Sequence, residues 1–251
     1  MTMHRWLSRL LVSLALLVAM GIGSFANVGW VSAAESGSAL EAADGSMGEE
    51  DLDLDPWEPF NDSNFRFNRQ LDRFVLKPVA TGYDAVLPDP VQRSIRNALD
   101  NLAVVRRLVN NLLQLKLGGA AREVARFTIN STVGVAGLFD IAKGGFGIEQ
   151  SDEDTGQTFG VYGIGPGPYL VLPFLPVMTV RDGIGLALDG VMNPLNYFIP
   201  IGATAGIYGT DVVNKRSLNL EKFERVEETV VDLYSAVRNA YLQRREAAIK
   251  E

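Results

Sequence analysis

Apolar side chains recur every three or four positions through most of residues 64–245, so the chain reads as helical. Residues 64–76 place Phe67, Leu71, Phe74 and Val75 on one face, with Arg66, Arg69, Gln70 and Arg73 elsewhere, and Lys77-Pro78 is expected to end that helix. Asp89-Pro90 reads as an N-cap acid followed by proline at the first helical position. The helix it opens puts Val91, Ile95, Leu99, Leu102, Leu108 and Leu112 on one stripe, and Gly118-Gly119 should stop it. A third helix is expected over 120–131 and a short one over 134–142. Leu220, Phe223, Val226, Val230, Tyr234, Val237 and Tyr241 then predict one long C-terminal amphipathic helix, with Lys222, Arg225, Glu228, Asp232 and Arg238 outward. Strand signals are weak: residues 169–175 can be extended, but Pro173 and Pro176 demote them.

One segment breaks this regularity. Residues 155–210 carry only three charged side chains, Arg181, Asp182 and Asp189, yet hold 11 Gly and 6 Pro. No stretch offers the ~20 unbroken apolar residues of a membrane span. Two readings stay open on these residues alone. One is the loop-rich core of a soluble domain. The other is a body of short helices sitting in a membrane, its irregular backbone covered by protein or facing a cavity.

The N-terminus reads as a secretory signal over 1–33. Arg5 and Arg9 precede an 11-residue apolar run at 10–20, and Val31-Ser32-Ala33 fits the cleavage rule, so the mature chain is expected to start at Ala34 or Glu35. Residues 35–59 carry nine acids and no base, while 60–251 balance at 21 acidic and 21 basic side chains. Residues 34–53 therefore read as an acidic disordered linker, and 54–251 as one domain with enough chain for a full core. A neutral body without a basic stripe argues against nucleic acid.

Composition narrows the chemistry. The chain has no cysteine, and its single histidine, His4, lies in the signal. A Ser-His-Asp triad, a thiol nucleophile, a His- or Cys-ligated zinc and a disulfide are all excluded from the mature protein. Carboxylate chemistry remains, with Asp152, Glu153 and Asp154 as the obvious cluster, but three adjacent acids read more simply as a solvated turn. Gly163-Ile164-Gly165-Pro166-Gly167-Pro168 lacks the spacing of a phosphate-cradling loop. No catalytic residue, metal or cofactor is expected.

Asp55-Pro56-Trp57-Glu58-Pro59-Phe60-Asn61 resembles the opening signature of the MlaA (VacJ) proteins. The match continues through Phe65-Arg66-Phe67-Asn68, Leu71-Asp72, residues 110–114, and Arg126-Phe127-Thr128-Ile129-Asn130-Ser131-Thr132-Val133-Gly134. Gly137-Leu138-Phe139-Asp140, Gly156-Gln157-Thr158, residues 167–173, Arg181-Asp182 and residues 241–245 follow in order. The resemblance implies an all-α ring embedded in the inner leaflet of a Gram-negative outer membrane, with a central amphipathic channel. It implies removal of phospholipids misplaced in the outer leaflet, delivery to a periplasmic phospholipid carrier of the Mla type, and association with a trimeric porin. It also implies a gating hairpin over 137–147, and assigns the channel and that hairpin to Gly137, Phe139, Asp140, Gly144, Gly145, Tyr169, Leu170, Leu172, Pro173, Arg181 and Asp182.

The chain departs from the family pattern. Without a cysteine it offers no lipobox, so acyl anchoring is not expected. Asp154-Thr155-Gly156 stands where Asp-Phe-Gly is typical, Pro176-Val177-Met178 where Gly-Pro-Ser is typical, and Ala98-Leu99 where an aromatic pair is. Beside transport, a non-transporting envelope scaffold or porin-associated surface virulence factor, and a carboxylate enzyme on lipid or peptidoglycan, remain as other classes.

Overall fold

The computed structural model describes residues 55–251; the expected signal peptide, cleavage site and acidic linker lie outside the described residues. Helix α1 (Glu58–Leu71) runs through a π-helical turn (Asp72–Leu76) into α2 (Lys77–Val86). Then come α3 (Asp89–Leu102), α4 (Val104–Leu113), α5 (Leu117–Thr132), α6 (Ile141–Phe146) and α7 (Thr155–Val161). Strands β1 (Tyr169–Leu170) and β2 (Met178–Thr179) pair antiparallel, Tyr169 opposite Thr179. They lead into α8 (Val180–Val191), α9 (Leu195–Phe198), α10 (Ile201–Ser217), α11 (Leu220–Thr229) and α12 (Leu233–Lys250). The domain is all-α, as expected.

The helices pack in a closed circuit. Helix α2 lies on α10, α10 on α3, α3 and α4 on α5, α4 on α7, and α7 on α8 and α12. Helix α12 returns to α1, where the Phe65 and Tyr234 rings meet edge to face at 5.4 Å.

Several local expectations change. Pro78 does not end the first helix. The π turn widens the ladder, Lys77 N–H reaching Asp72 O five residues back, and the chain continues helical past the proline. The helix from Asp89 breaks at Ala103 and again after Leu113. Gly118-Gly119 sits in the first turn of α5 rather than stopping anything, because a Cβ at Gly119 would lie 1.8 Å from Asn111 Oδ1. Residues 134–139 form turns, with Val135, Ala136 and Gly137 at positive φ, and the short helix starts only at Ile141. The expected single C-terminal helix is two. Val230 is extended, and Asp232 caps α12 by accepting from Tyr234 N at 3.1 Å and Ser235 N at 3.3 Å.

The largest difference is in which faces are inward. The helical period read from the sequence is right, but on α1 and α3–α5 the buried face is the polar one. Asn61, Asn68, Gln92, Asn101, Arg107, Asn110, Asn111, Glu123, Arg126 and Asn130 are buried. Phe67, Phe74, Val91, Leu102, Leu112, Val124 and Phe127 are exposed. Among the described residues the main apolar cluster lies where α12, α1 and the β1–β2 hairpin meet, with Phe65, Tyr169, Val171, Val177, Tyr234, Val237 and Tyr241.

Close approach of α7 and α8 depends on glycine. A Cβ at Gly185 would lie 2.4 Å from the Gly156 backbone nitrogen, and backbone cannot step aside. Gly185→Ala is expected to cost on the order of 1–3 kcal/mol, seen as a lower melting temperature in detergent. Gly206→Ala, where a Cβ meets nothing within 4 Å, should be neutral or slightly stabilising.

Candidate functional site

Three asparagines on one face of α1 take the place of a partner strand for the segment around β1. Asn61 donates to Tyr169 O at 2.9 Å and accepts from Val171 N at 2.8 Å. Asn64 donates to Val171 O at 3.1 Å. Asn68 donates to Leu172 O at 2.9 Å and accepts from Phe174 N at 3.0 Å. Extended backbone that a sheet would otherwise satisfy is thus matched by amides. Asp55 fixes the start of α1, accepting from Asn61 Nδ2 at 2.7 Å, from Arg238 Nη1 at 3.1 Å and from the Tyr234 hydroxyl. Arg238, expected to point outward, is therefore buried, one turn from Tyr234 on the inner face of α12.

A second knot joins α7, α8 and α12. Arg245 binds Asp154 and Asp182, each at 2.9 Å through Nη2, and Arg181 Nε reaches Asp182 Oδ1 at 2.9 Å. The Tyr241 hydroxyl donates to the other Asp182 oxygen. Gly156 leaves room for the knot: its Cβ would fall 2.5 Å from Asp182 Oδ1. Burial pushes the Asp182 carboxyl up, but Arg245, Arg181 and Tyr241 more than offset that, and it ends below the ordinary carboxylate range. A depressed carboxylate stabilises the fold fully above its unfolded pKa, about 3.9, and that contribution is lost as pH falls through the folded value. Unfolding followed between neutral and strongly acidic pH should therefore lose stability only below about pH 4 through this group, and Asp182→Asn should flatten that limb.

The acidic triplet is not simply a solvated turn. Asp152 is exposed near Arg244, but Glu153 is buried against Lys116 Nζ at 2.8 Å. Asp154 caps α7 by accepting from Gln157 N at 2.8 Å. These roles account for Glu153 and Asp154 structurally.

Sequence reasoning missed a buried polar centre. Thr158 Oγ1 donates to Asn110 Oδ1 at 2.8 Å, Gln114 Nε2 reaches Thr158 Oγ1 at 3.0 Å, and Thr155 Oγ1 donates to Asp189 Oδ1 at 2.6 Å. Burial pushes the Asp189 carboxyl up. Glu123, fully buried, binds Arg107 Nε at 2.6 Å and accepts from Ser151 N at 2.8 Å. Charged residues such as Arg107 and Glu123, spaced along apolar-looking helices, were the available signal.

The expected hairpin, 137–147, is held by its neighbours. Asn130 donates to Asp140 Oδ1 at 2.9 Å and accepts from Ala142 N at 2.9 Å. Arg126 Nη2 reaches Asp140 Oδ2 at 2.9 Å. Gly137, at φ 89°, packs where a Cβ would lie 2.7 Å from Asn101 Cβ. Gly144 and Gly145 lie within α6, and Gly147 ends it in the left-handed conformation at φ 66°. Asp140, Lys143 and Arg126 border a cavity of about 1100 Å³. Its other walls are charged residues of α2, α3 and α11, among them Asp84, Asp89, Arg93, Arg96, Asp100 and Arg225, with both signs mixed.

The remaining expected site residues divide between core and surface. Tyr169 lies in the aromatic core, 6.1 Å between ring centroids from Tyr241 and 6.2 Å from Tyr234. Leu170 and Leu172 are half-buried and Pro173 is exposed. Gly156, Gln157 and Thr158 are buried, while Pro56, Trp57, Glu58, Phe60 and Phe139 are exposed. Phe67 stands at the surface against Phe174, ring to ring at 5.5 Å.

Known proteins resemble this chain. An uncharacterised protein of Rickettsia felis is 34% identical over 197 residues, 78% of each chain. The intermembrane phospholipid transport system lipoprotein MlaA of Escherichia coli is 31% identical over 193 residues, 76% of each. A chain solved in work on the structural basis for maintenance of bacterial outer membrane lipid asymmetry superposes with a TM-score of 0.69 at 29% identity, covering 78% of this chain and 98% of that one. The family model described as MlaA lipoprotein matches residues 53–248, and with those relatives it places the chain in the MlaA family.

Proposed function

We propose that this protein carries phospholipid misplaced in the outer leaflet of an outer membrane inward, while seated in the inner leaflet. One observation carries the reading: much of the interior of the described domain is polar and ion-paired, many large apolar side chains are exposed, and a charged cavity of about 1100 Å³ borders it. A soluble protein rarely exposes so many large apolar side chains, and such surfaces mark membrane or protein contact. Among the described residues no helix is long and apolar enough to cross a membrane. Short helices with an apolar outer face instead lie in the plane of one leaflet. The internal hydrogen bonds then supply what lipid cannot, partners for most of the buried polar groups.

The lipid headgroup passes by the charged cavity, and its chains stay with the apolar exterior. The 137–147 hairpin borders that cavity and acts as its gate. A trimeric porin holds the protein at the outer membrane, and a periplasmic carrier of the Mla type receives the lipid. Residues 1–33 direct export and are removed. No bond in the lipid is made or broken.

The test is outer-leaflet phospholipid exposure in a deletion strain. The deletion should raise it, the wild-type gene should restore it, and Gln150→Trp, which places a bulky side chain in the cavity wall, should not. Unchanged exposure in the deletion, or full rescue by a Gln150→Trp protein of normal abundance, would overturn the reading. A purified protein that co-isolates with no lipid would point to a scaffold instead.

A further inference from the structure

We infer that a side pocket between α1–α2 and α10–α11 takes one ester-linked acyl chain of a phospholipid. This rests on the lipid-handling reading and adds a second site to it. The pocket encloses about 230 Å³ and is walled by Leu71, Val75, Val79, Phe174, Val212 and Val213. Pockets that enclose a whole drug-sized ligand hold about 300–1,000 Å³. This one therefore takes part of a molecule, and its apolar walls suit a single hydrocarbon chain.

Arg216 makes the pocket more than an apolar dent. Its side chain is only 4% exposed and lines the pocket. Its Nε and Nη2 bind the Asp72 carboxylate at 2.8 and 3.1 Å, and its guanidinium lies over the Phe223 ring at 4.2 Å. Its third nitrogen, Nη1, is buried with no hydrogen-bond partner among the described residues. Buried donors are almost always matched, so an acceptor oxygen carried on an apolar chain is the ligand this donor fits.

Charge selects which oxygen. Arg216 is already neutralised by Asp72, and Arg69 with Glu227 forms a second neutral pair beside the pocket at 2.8 Å. A free carboxylate would leave an uncompensated negative charge next to Asp72 in apolar surroundings. A neutral ester carbonyl accepts the same hydrogen bond without that charge. The two chambers are also neighbours: Arg216 and Phe223 line the pocket, while Ser217–Asn219 and Glu224 line the charged cavity.

Photo-crosslinking tests this with full-length mature protein in phosphatidylethanolamine vesicles. A small fraction of the lipid carries a diazirine in one acyl chain. Label is expected on residues 71–79 and 212–213. Val213→Trp fills the pocket and should lower that label about tenfold. Arg216→Lys keeps a cation beside Asp72 but removes the Nη1 donor, and should lower it several-fold. A diazirine fatty acid should label these residues weakly. Unchanged label in both variants, or equal label from the fatty acid, would overturn the pocket and leave the transport reading standing on lipid asymmetry. A wild-type protein that labels neither here nor around the charged cavity would remove both.

Discussion

Ile184→Asp combined with Phe198→Asp is expected to release the protein from membranes and abolish its effect on lipid asymmetry, while folded stability stays near wild type. Both side chains are exposed, Phe198 at 86%, so neither substitution removes a core contact. Each aspartate at hydrocarbon depth costs about 2.5–3.5 kcal/mol. Together they cost about 5–7 kcal/mol, a shift of roughly 10³–10⁵ in partition. Leu170→Asp should act differently. Leu170 is half-buried in β1, between the core residues Tyr169 and Val171, so a charge there unfolds the hairpin before it repels lipid. Glu228→Lys, on the exposed face of α11, should do little. Fractionation and melting in detergent separate the cases. A double variant that stays membrane-bound and restores asymmetry would sink the embedded reading.

That contrast marks how far the sequence could be read. Periodicity located α1, α3–α5 and the α11–α12 stretch but not α2 or the helices of 155–217, and the motifs around Asp55, Asn130, Gly156 and Asp182 fall together in hydrogen-bonded knots. Periodicity does not say which face is inward. The usual rule sends apolar side chains in; here it places Phe67, Phe74 and Leu112 in the core although they are exposed, and Arg238 at the surface although it is buried. A charged residue aligned with tyrosines at 234 and 241 was the available clue, because only a buried partner makes that face coherent. The partner, Asp55, lies 183 residues away, and no local pattern pairs them. Long-range pairing also explains the helix ends. Gly119 and Gly185 are glycines because another helix approaches, not because a helix stops.

Glu123→Leu is expected to be the most damaging single change in the domain. Glu123 is fully buried, and its loss leaves the Arg107 guanidinium without its carboxylate and Ser151 N without an acceptor. Breaking one side of a buried pair costs about 3–5 kcal/mol, or roughly 6–20 °C in melting temperature for a domain of this size. The double variant Arg107→Met, Glu123→Leu removes the orphaned charge and should recover much of that loss. Recovery of stability need not restore a single structure. On α5 the outward face already carries Val124 and Phe127, so an apolar inward face would leave nothing to tell the two faces apart in lipid. The double variant should therefore melt close to wild type but over a broader range, with poorer rescue of lipid asymmetry. A sharp transition with full rescue would show that shape alone orients α5, and that the buried charges are dispensable to it.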